Sequence, residues 1–206
     1  MKTKARASEG GPKRTGQRKP LTDVRVYRLK IELVGSDPPI WRRIQVPGEI
    51  TLSLLHKALQ AAMGWENCHL HEFKIGEVSY GSAAESDDPF AIGLMEDKAV
   101  RLMDVLTPRT KNFEYVYDFG DDWVHKITVE DFATAEDSLP ALRCLGGERA
   151  CPPEDCGGIY GYYEYLEILK NPGHPEYEDI KEWMGRYDPE RFDLDRVNTR
   201  LKRLSK

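Results

Sequence analysis

Long apolar runs are missing from this sequence. None approaches the ~20 residues that a membrane-spanning helix needs. The charges at the N-terminus are not followed by the apolar stretch of a secretory signal. A cytoplasmic location and no membrane partner are therefore expected. Cysteine is scarce, with only Cys68, Cys144, Cys151 and Cys156. Without an export signal these read as reduced thiols. Cys151 and Cys156 form one C-x4-C pair without a matching second, which speaks against a structural zinc knuckle. There is no H-E-x-x-H helix and no internal repeat. Basic charge is also short over most of the chain. Residues 1–20 hold seven Lys and Arg against Glu9, a charge of +6, while the whole chain is −5, so the remainder is −11. An acidic body excludes a broad face that neutralises DNA phosphates.

What is present divides into three parts. Residues 1–22 carry that positive charge among glycines and prolines with almost no apolar residue, the composition of a disordered tail. Nucleic-acid contact, if any, is expected through this tail. Residues 23–170 read as one α+β domain, and 171–206 as a helical extension packed on it. Tyr27, Leu29, Ile31 and Leu33 alternate with charged residues, and Ile40, Ile44 and Val46 alternate with Arg43 and Gln45, giving two half-buried strands. Thr51 is placed to cap a helix whose Leu52, Leu55, Leu59 and Ala62 form one stripe, and Gly64 sits where a left-handed C-cap belongs. The fold class is thus α+β: a mixed or antiparallel sheet opening strand–strand–helix, with added C-terminal helices.

Further along, His69, His71, Phe73 and Ile75 are expected on one strand face. Residues 82–98, rich in Asp, Glu and Ser, read as an exposed excursion. Phe113, Tyr115 and Tyr117 pair with Trp123, His125 and Ile127 as a hairpin, with Gly120 able to take positive φ in its turn. Two strings are unusually dense in chemistry: Y-V-Y-D-F-G-D-D-W-V-H at 115–125 and C-P-P-E-D-C-G-G-I-Y-G-Y at 151–162. Three carboxylates in five residues, Asp118 to Asp122, repel one another unless solvated or bridged by a cation. They are also ordinary turn residues. Two histidines on a strand can converge on one ion, and His125 can join from a neighbouring strand. The alternative is that these imidazoles are hydrogen-bonded core. Glu154 and Asp155 favour a cation, helix capping or an arginine such as Arg42, Arg43 or Arg149. Trp41 and Arg43 share a strand face and suit a cation–π contact.

Five strings resemble the plasmid pRiA-type ORF-three-like family: I-W-R-R-I at 40–44, L-H-K-A-L-Q-A-A-M-G-W at 55–65, H-L-H-E-F at 69–73, the string at 115–125, and G-E-R-A-C-P-P-E-D-C-G-G at 147–158. Members occur on plasmids and beside insertion elements and are sometimes labelled resolvase-type passenger proteins. The resemblance implies a compact α+β domain and no particular activity. A serine recombinase needs an activated serine among arginines and a DNA-reading helix-turn-helix, and neither is found here.

Two functional readings follow. The first is a binding or interaction module with an acidic, aromatic cleft lined by His71, Tyr117, Asp118, Trp123, His125, Glu154 and Asp155, with Arg43 as a further ligand-binding residue. Its partner would be a cation, a metal-bound group or a basic segment of another protein. The alternative is a metal-dependent hydrolase, a phosphoesterase or nuclease. There His69, His71, Asp118 and His125 would ligate a divalent metal, while Asp118, His125, Glu154 and Asp155 would do the chemistry. It lacks an arginine or lysine cluster beside the carboxylates.

Overall fold

The computed structural model of the protein describes residues 25–82, 93–107, 109–134 and 142–204. The basic tail, and most of the 82–98 excursion, lie outside these residues. Eight strands among the described residues form one sheet in the order β5-β4-β3-β6-β7-β1-β2-β8. They are β1 (Arg25–Leu33), β2 (Trp41–Pro47), β3 (His71–Ile75), β4 (Val78–Gly81), β5 (Met95–Glu96), β6 (Asn112–Tyr117), β7 (Trp123–Thr134) and β8 (Arg143–Glu148). All pairs are antiparallel except β4–β5, so the sheet is mixed. Among the described residues five helices accompany it: α1 (Leu52–Met63), α2 (Leu102–Val105), α3 (Gly158–Lys170), α4 (Tyr177–Met184) and α5 (Leu194–Leu204). This is an α+β fold.

The period-two pattern puts Leu29 and Ile31 of β1, Ile44 and Val46 of β2, Phe73 of β3, Tyr115 and Tyr117 of β6 and Ile127 of β7 into one core. Leu52, Leu55, Leu59 and Ala62 of α1 join the same cluster. Thr51 Oγ1 accepts the Leu54 N–H, and Gly64 ends the helix at φ 108. Each fully buried leucine contributes about 1.5–3 kcal/mol. Arg42 also falls on the buried side of β2, two residues before Ile44, and is 2% exposed.

The opposite sheet face carries charge. Arg43 lies 5.2 Å from the centroid of the Trp41 ring, and its guanidinium clamps Glu130 at 2.6 and 2.8 Å. Glu130 is available because the β1–β7 register skips it between Val129 and Asp131. At the other edge, β8 is covered by α5. Asn198 accepts the Cys144 N–H at 2.9 Å and donates to the Cys144 carbonyl at 3.1 Å. Val197 and Leu201 of α5 enter the main core.

Candidate metal centre

The two acidic strings meet. After Tyr117 the chain turns through Asp118–Asp122, and the Asp118 N–H bonds to the Leu70 carbonyl at 2.9 Å, beside the start of β3. Asp118 Oδ1 accepts the Gly120 N–H at 2.9 Å and the Asp121 N–H at 3.4 Å. The left-handed positions are Asp118 (φ 57) and Asp122 (φ 53), while Gly120 does not use the freedom a glycine has there. Aspartate tolerates this region because its side chain bonds its own turn. In the 151–158 corner, Asp155 (φ 58), Gly157 (φ 85) and Gly158 (φ 70) reverse the chain. The Gly157 N–H reaches Asp121 Oδ2 at 3.2 Å. A Cβ on Gly158 would lie 2.4 Å from the Asp121 carbonyl oxygen. Only glycine permits this approach of the two strings.

Tyr117 and Glu154 fasten the junction. The Tyr117 hydroxyl donates to Glu154 Oε1 at 2.5 Å and accepts the N–H groups of Cys68 (2.9 Å) and His69 (3.3 Å). Glu154 Oε2 accepts the Glu66 N–H at 2.8 Å. Burial first, and then the Glu154 carboxylate, push the Tyr117 pKa above its ordinary value, so the phenol stays a donor.

In front of this tie sits a cluster of three. His69 Nε2 lies 3.2 Å from Asp155 Oδ1 and 3.6 Å from Asp118 Oδ2. Ligand atoms of all three residues fall within 4.8 Å of one another. His69 Nε2 is shielded from solvent yet makes no hydrogen bond among the described residues. The Asp155 side chain is 72% exposed, so the cluster opens to solvent.

The structure does not bring the other predicted ligands here. The chain bends at His69, and β3 starts only at His71, so the two histidines do not share a direction. His71 Nε2 instead bonds to Asp97 Oδ2 at 2.8 Å, and its ring stacks on His56 at 3.6 Å and 5° from parallel. His56 Nδ1 bonds to the Tyr115 hydroxyl at 2.8 Å, and its Nε2 to Asn67. Burial, followed by the neighbouring His71, lowers the His56 pKa to about 3. His125 is 0% exposed and bonds to the Tyr115 carbonyl at 3.3 Å. Burial lowers its pKa to about 4. A sealed, neutral imidazole can neither meet a substrate nor join His69 on an ion.

Trp123 is likewise buried, packed against Trp65 at 5.7 Å, and supports the site from behind rather than lining it. Arg43 is held by Glu130 on the other sheet face. Arg149 pairs with Glu190, and Arg42 with backbone carbonyls, so neither neutralises Glu154 or Asp155. All four cysteines are free thiols. Burial raises the Cys156 pKa to about 12, well away from a reactive thiolate. Sequence reasoning missed Asp97, His56 and Asn67. Asp97 lies at the end of the acidic excursion yet is 1% exposed, with His71 as its buried partner.

Comparison with known proteins matches the model of the plasmid pRiA4b ORF-3-like protein family over residues 25–196. An uncharacterized protein, y4hQ, of Sinorhizobium fredii is 41% identical over 165 residues, covering 79% of this chain and 82% of that one. The crystal structure of a protein of unknown function, MM3350 from Methanosarcina mazei Go1, superposes with a TM-score of 0.76 at 42% identity. It spans 84% of this chain and 98% of its own. Among the described residues no helix is long and apolar enough to cross a membrane.

Proposed function

Since the chain belongs to the plasmid pRiA4b ORF-3-like family, and its three acidic and histidine segments all lie within the matched span, we propose that it is a divalent-cation-binding module. His69 Nε2, Asp118 Oδ2 and Asp155 Oδ1 hold the ion. The observation that carries this is the spacing. Four-coordinate ions with bonds of ~2.1 Å set their donors about 3.4 Å apart, and the His69 contacts are 3.2 and 3.6 Å. The unpartnered Nε2 is the lone pair such an ion takes up. One imidazole with two carboxylates suits zinc or manganese better than an all-oxygen site for calcium.

Binding is supported over hydrolysis. Both Glu154 oxygens accept hydrogen bonds, so this carboxylate acts as a tie and is poorly placed to take a proton from water. His125 lies out of reach of solvent. The test is titration of the untagged, metal-free full chain with Zn²⁺ and Mn²⁺ by calorimetry, alongside elemental analysis. One equivalent, lost in His69→Ala and weakened in Asp155→Asn, is expected. Absence of uptake, with a melting temperature indifferent to either ion, would sink the reading. Binding of an arginine-rich peptide in place of metal would favour the docking of a basic partner segment.

A further inference from the structure

A cavity of about 300 Å³ lies between the end of α1, the Ala150–Cys151 corner and the segment from Arg186 through the first turns of α5. None of the His69 cluster lines it. Its lining holds five arginines, Arg42, Arg186, Arg191, Arg196 and Arg200, against two aspartates. Asp188 Oδ1 accepts the Glu190 N–H at 3.0 Å, and Asp193 Oδ1 accepts the Arg196 N–H at 2.9 Å, so two carboxylates face five guanidinium groups.

Arg42 is the unusual member. It is 2% exposed and has no carboxylate partner among the described residues. Its Nε donates to the Ala62 carbonyl at 3.0 Å, and Nη1 to the carbonyls of Trp41 and Glu148, both at 2.8 Å. Its guanidinium stacks on Phe192 at 4.6 Å. Nη2 makes no hydrogen bond to the described residues. Burial pulls the Arg42 pKa below the usual guanidinium value, a sign that the charge is held at a cost. Arg186, Arg196 and Arg200 form no ion pair among the described residues, and Arg191 reaches Asp193 only at 3.9 Å. The body of this protein is acidic, so five guanidinium groups around one concavity, only Arg191 with a carboxylate partner among the described residues, are not a sampling of average surface.

We infer that this cavity binds a small molecule bearing a phosphate or pyrophosphate group. Guanidinium forks match phosphate oxygens in pairs, and several around one group suit a multiply charged anion better than a single carboxylate. The volume is at the lower end of small-ligand sites. The apolar wall of Phe192, Met63 and Val197 leaves room for a nonpolar or planar body beside the anionic group. A buried floor such as Arg42 is beyond the reach of phosphates on a nucleic-acid backbone, which favours a free ligand over a strand.

The experiment is calorimetric titration of the full chain with inorganic pyrophosphate, with citrate and a single-stranded oligonucleotide as comparison probes at fixed ionic strength. Saturable pyrophosphate binding is expected. It should weaken about ten- to a hundredfold in Arg196→Ala and in Arg200→Ala, the loss of a charge-assisted contact. Neither side chain bonds to the described residues, so both variants should fold, and circular dichroism checks this. Arg101→Ala, outside the cavity, should bind as the parent does. Absence of saturation, or undiminished binding by the Arg196→Ala/Arg200→Ala double variant, overturns the proposal. So does saturation by citrate alone, or oligonucleotide binding that pyrophosphate cannot displace.

Discussion

The Tyr117 hydroxyl and the Glu154 carboxylate, 37 residues apart in sequence, share a 2.5 Å hydrogen bond that closes the space behind His69. The same oxygen accepts two backbone N–H groups from the loop that carries His69. Tyr117→Phe removes the phenol and leaves two donors and a carboxylate without their partner. It should cost about 1–3 kcal/mol, read as a lower urea midpoint. It should also weaken Zn²⁺ uptake at His69, although Tyr117 is no ligand. A variant with parental stability would show that the tie is redundant.

Stability should fall in mild acid. His56 and His125 have folded pKa values of about 3 and about 4, below the unfolded value of about 6.5. As pH falls, the unfolded chain binds protons first. Their contribution is therefore complete above pH 6.5 and declines from there toward pH 4 for His125 and pH 3 for His56. At pH 5 the expected loss is about 2 kcal/mol for each, measured as the change in unfolding free energy from pH 7. A chain that gains stability over this interval would contradict the burial of these imidazoles as neutral bases.

Gly158→Ala tests the contact between the acidic strings. The added Cβ meets the Asp121 carbonyl at 2.4 Å, on a backbone with φ 70. Backbone must move, so a loss of about 2 kcal/mol or more is expected. Gly64→Ala serves as a comparison, since its nearest neighbour is an arginine nitrogen 3.7 Å away and only the left-handed φ opposes it. About 1 kcal/mol is expected there. Equal effects would mean that the approach of Gly158 to Asp121 matters little.

Arg43→Ala should leave cation binding untouched. Its clamp on Glu130 lies at the surface, and such pairs contribute about 1 kcal/mol or less. A changed Zn²⁺ affinity would place Arg43 in the site after all.

Much of the fold could be read from residue order. The alternation in β1, β2, β6 and β7, the Thr51 cap and the Gly64 stop are local signals, each with one physical cause. The meeting of the two acidic strings was also foreshadowed by their density of carboxylate, aromatic and glycine. Assigning the histidines failed because strand periodicity assumes an extended chain, and the bend at His69 breaks it by one direction. His71 and Asp97 find each other only in three dimensions. Arg42 carried a readable signal, being a charge two positions before Ile44 on an apolar face. The other cavity arginines look like ordinary surface residues until folding gathers them.

The side-chain amide of Asn198 faces both polar atoms of Cys144 at the rim of the sheet. It occupies the slots that a ninth strand would use. An extended peptide arriving at β8 therefore finds its ladder already begun and blocked, which guards this margin against runaway self-association. Whatever this protein recognises, strand addition at Cys144 is closed to it.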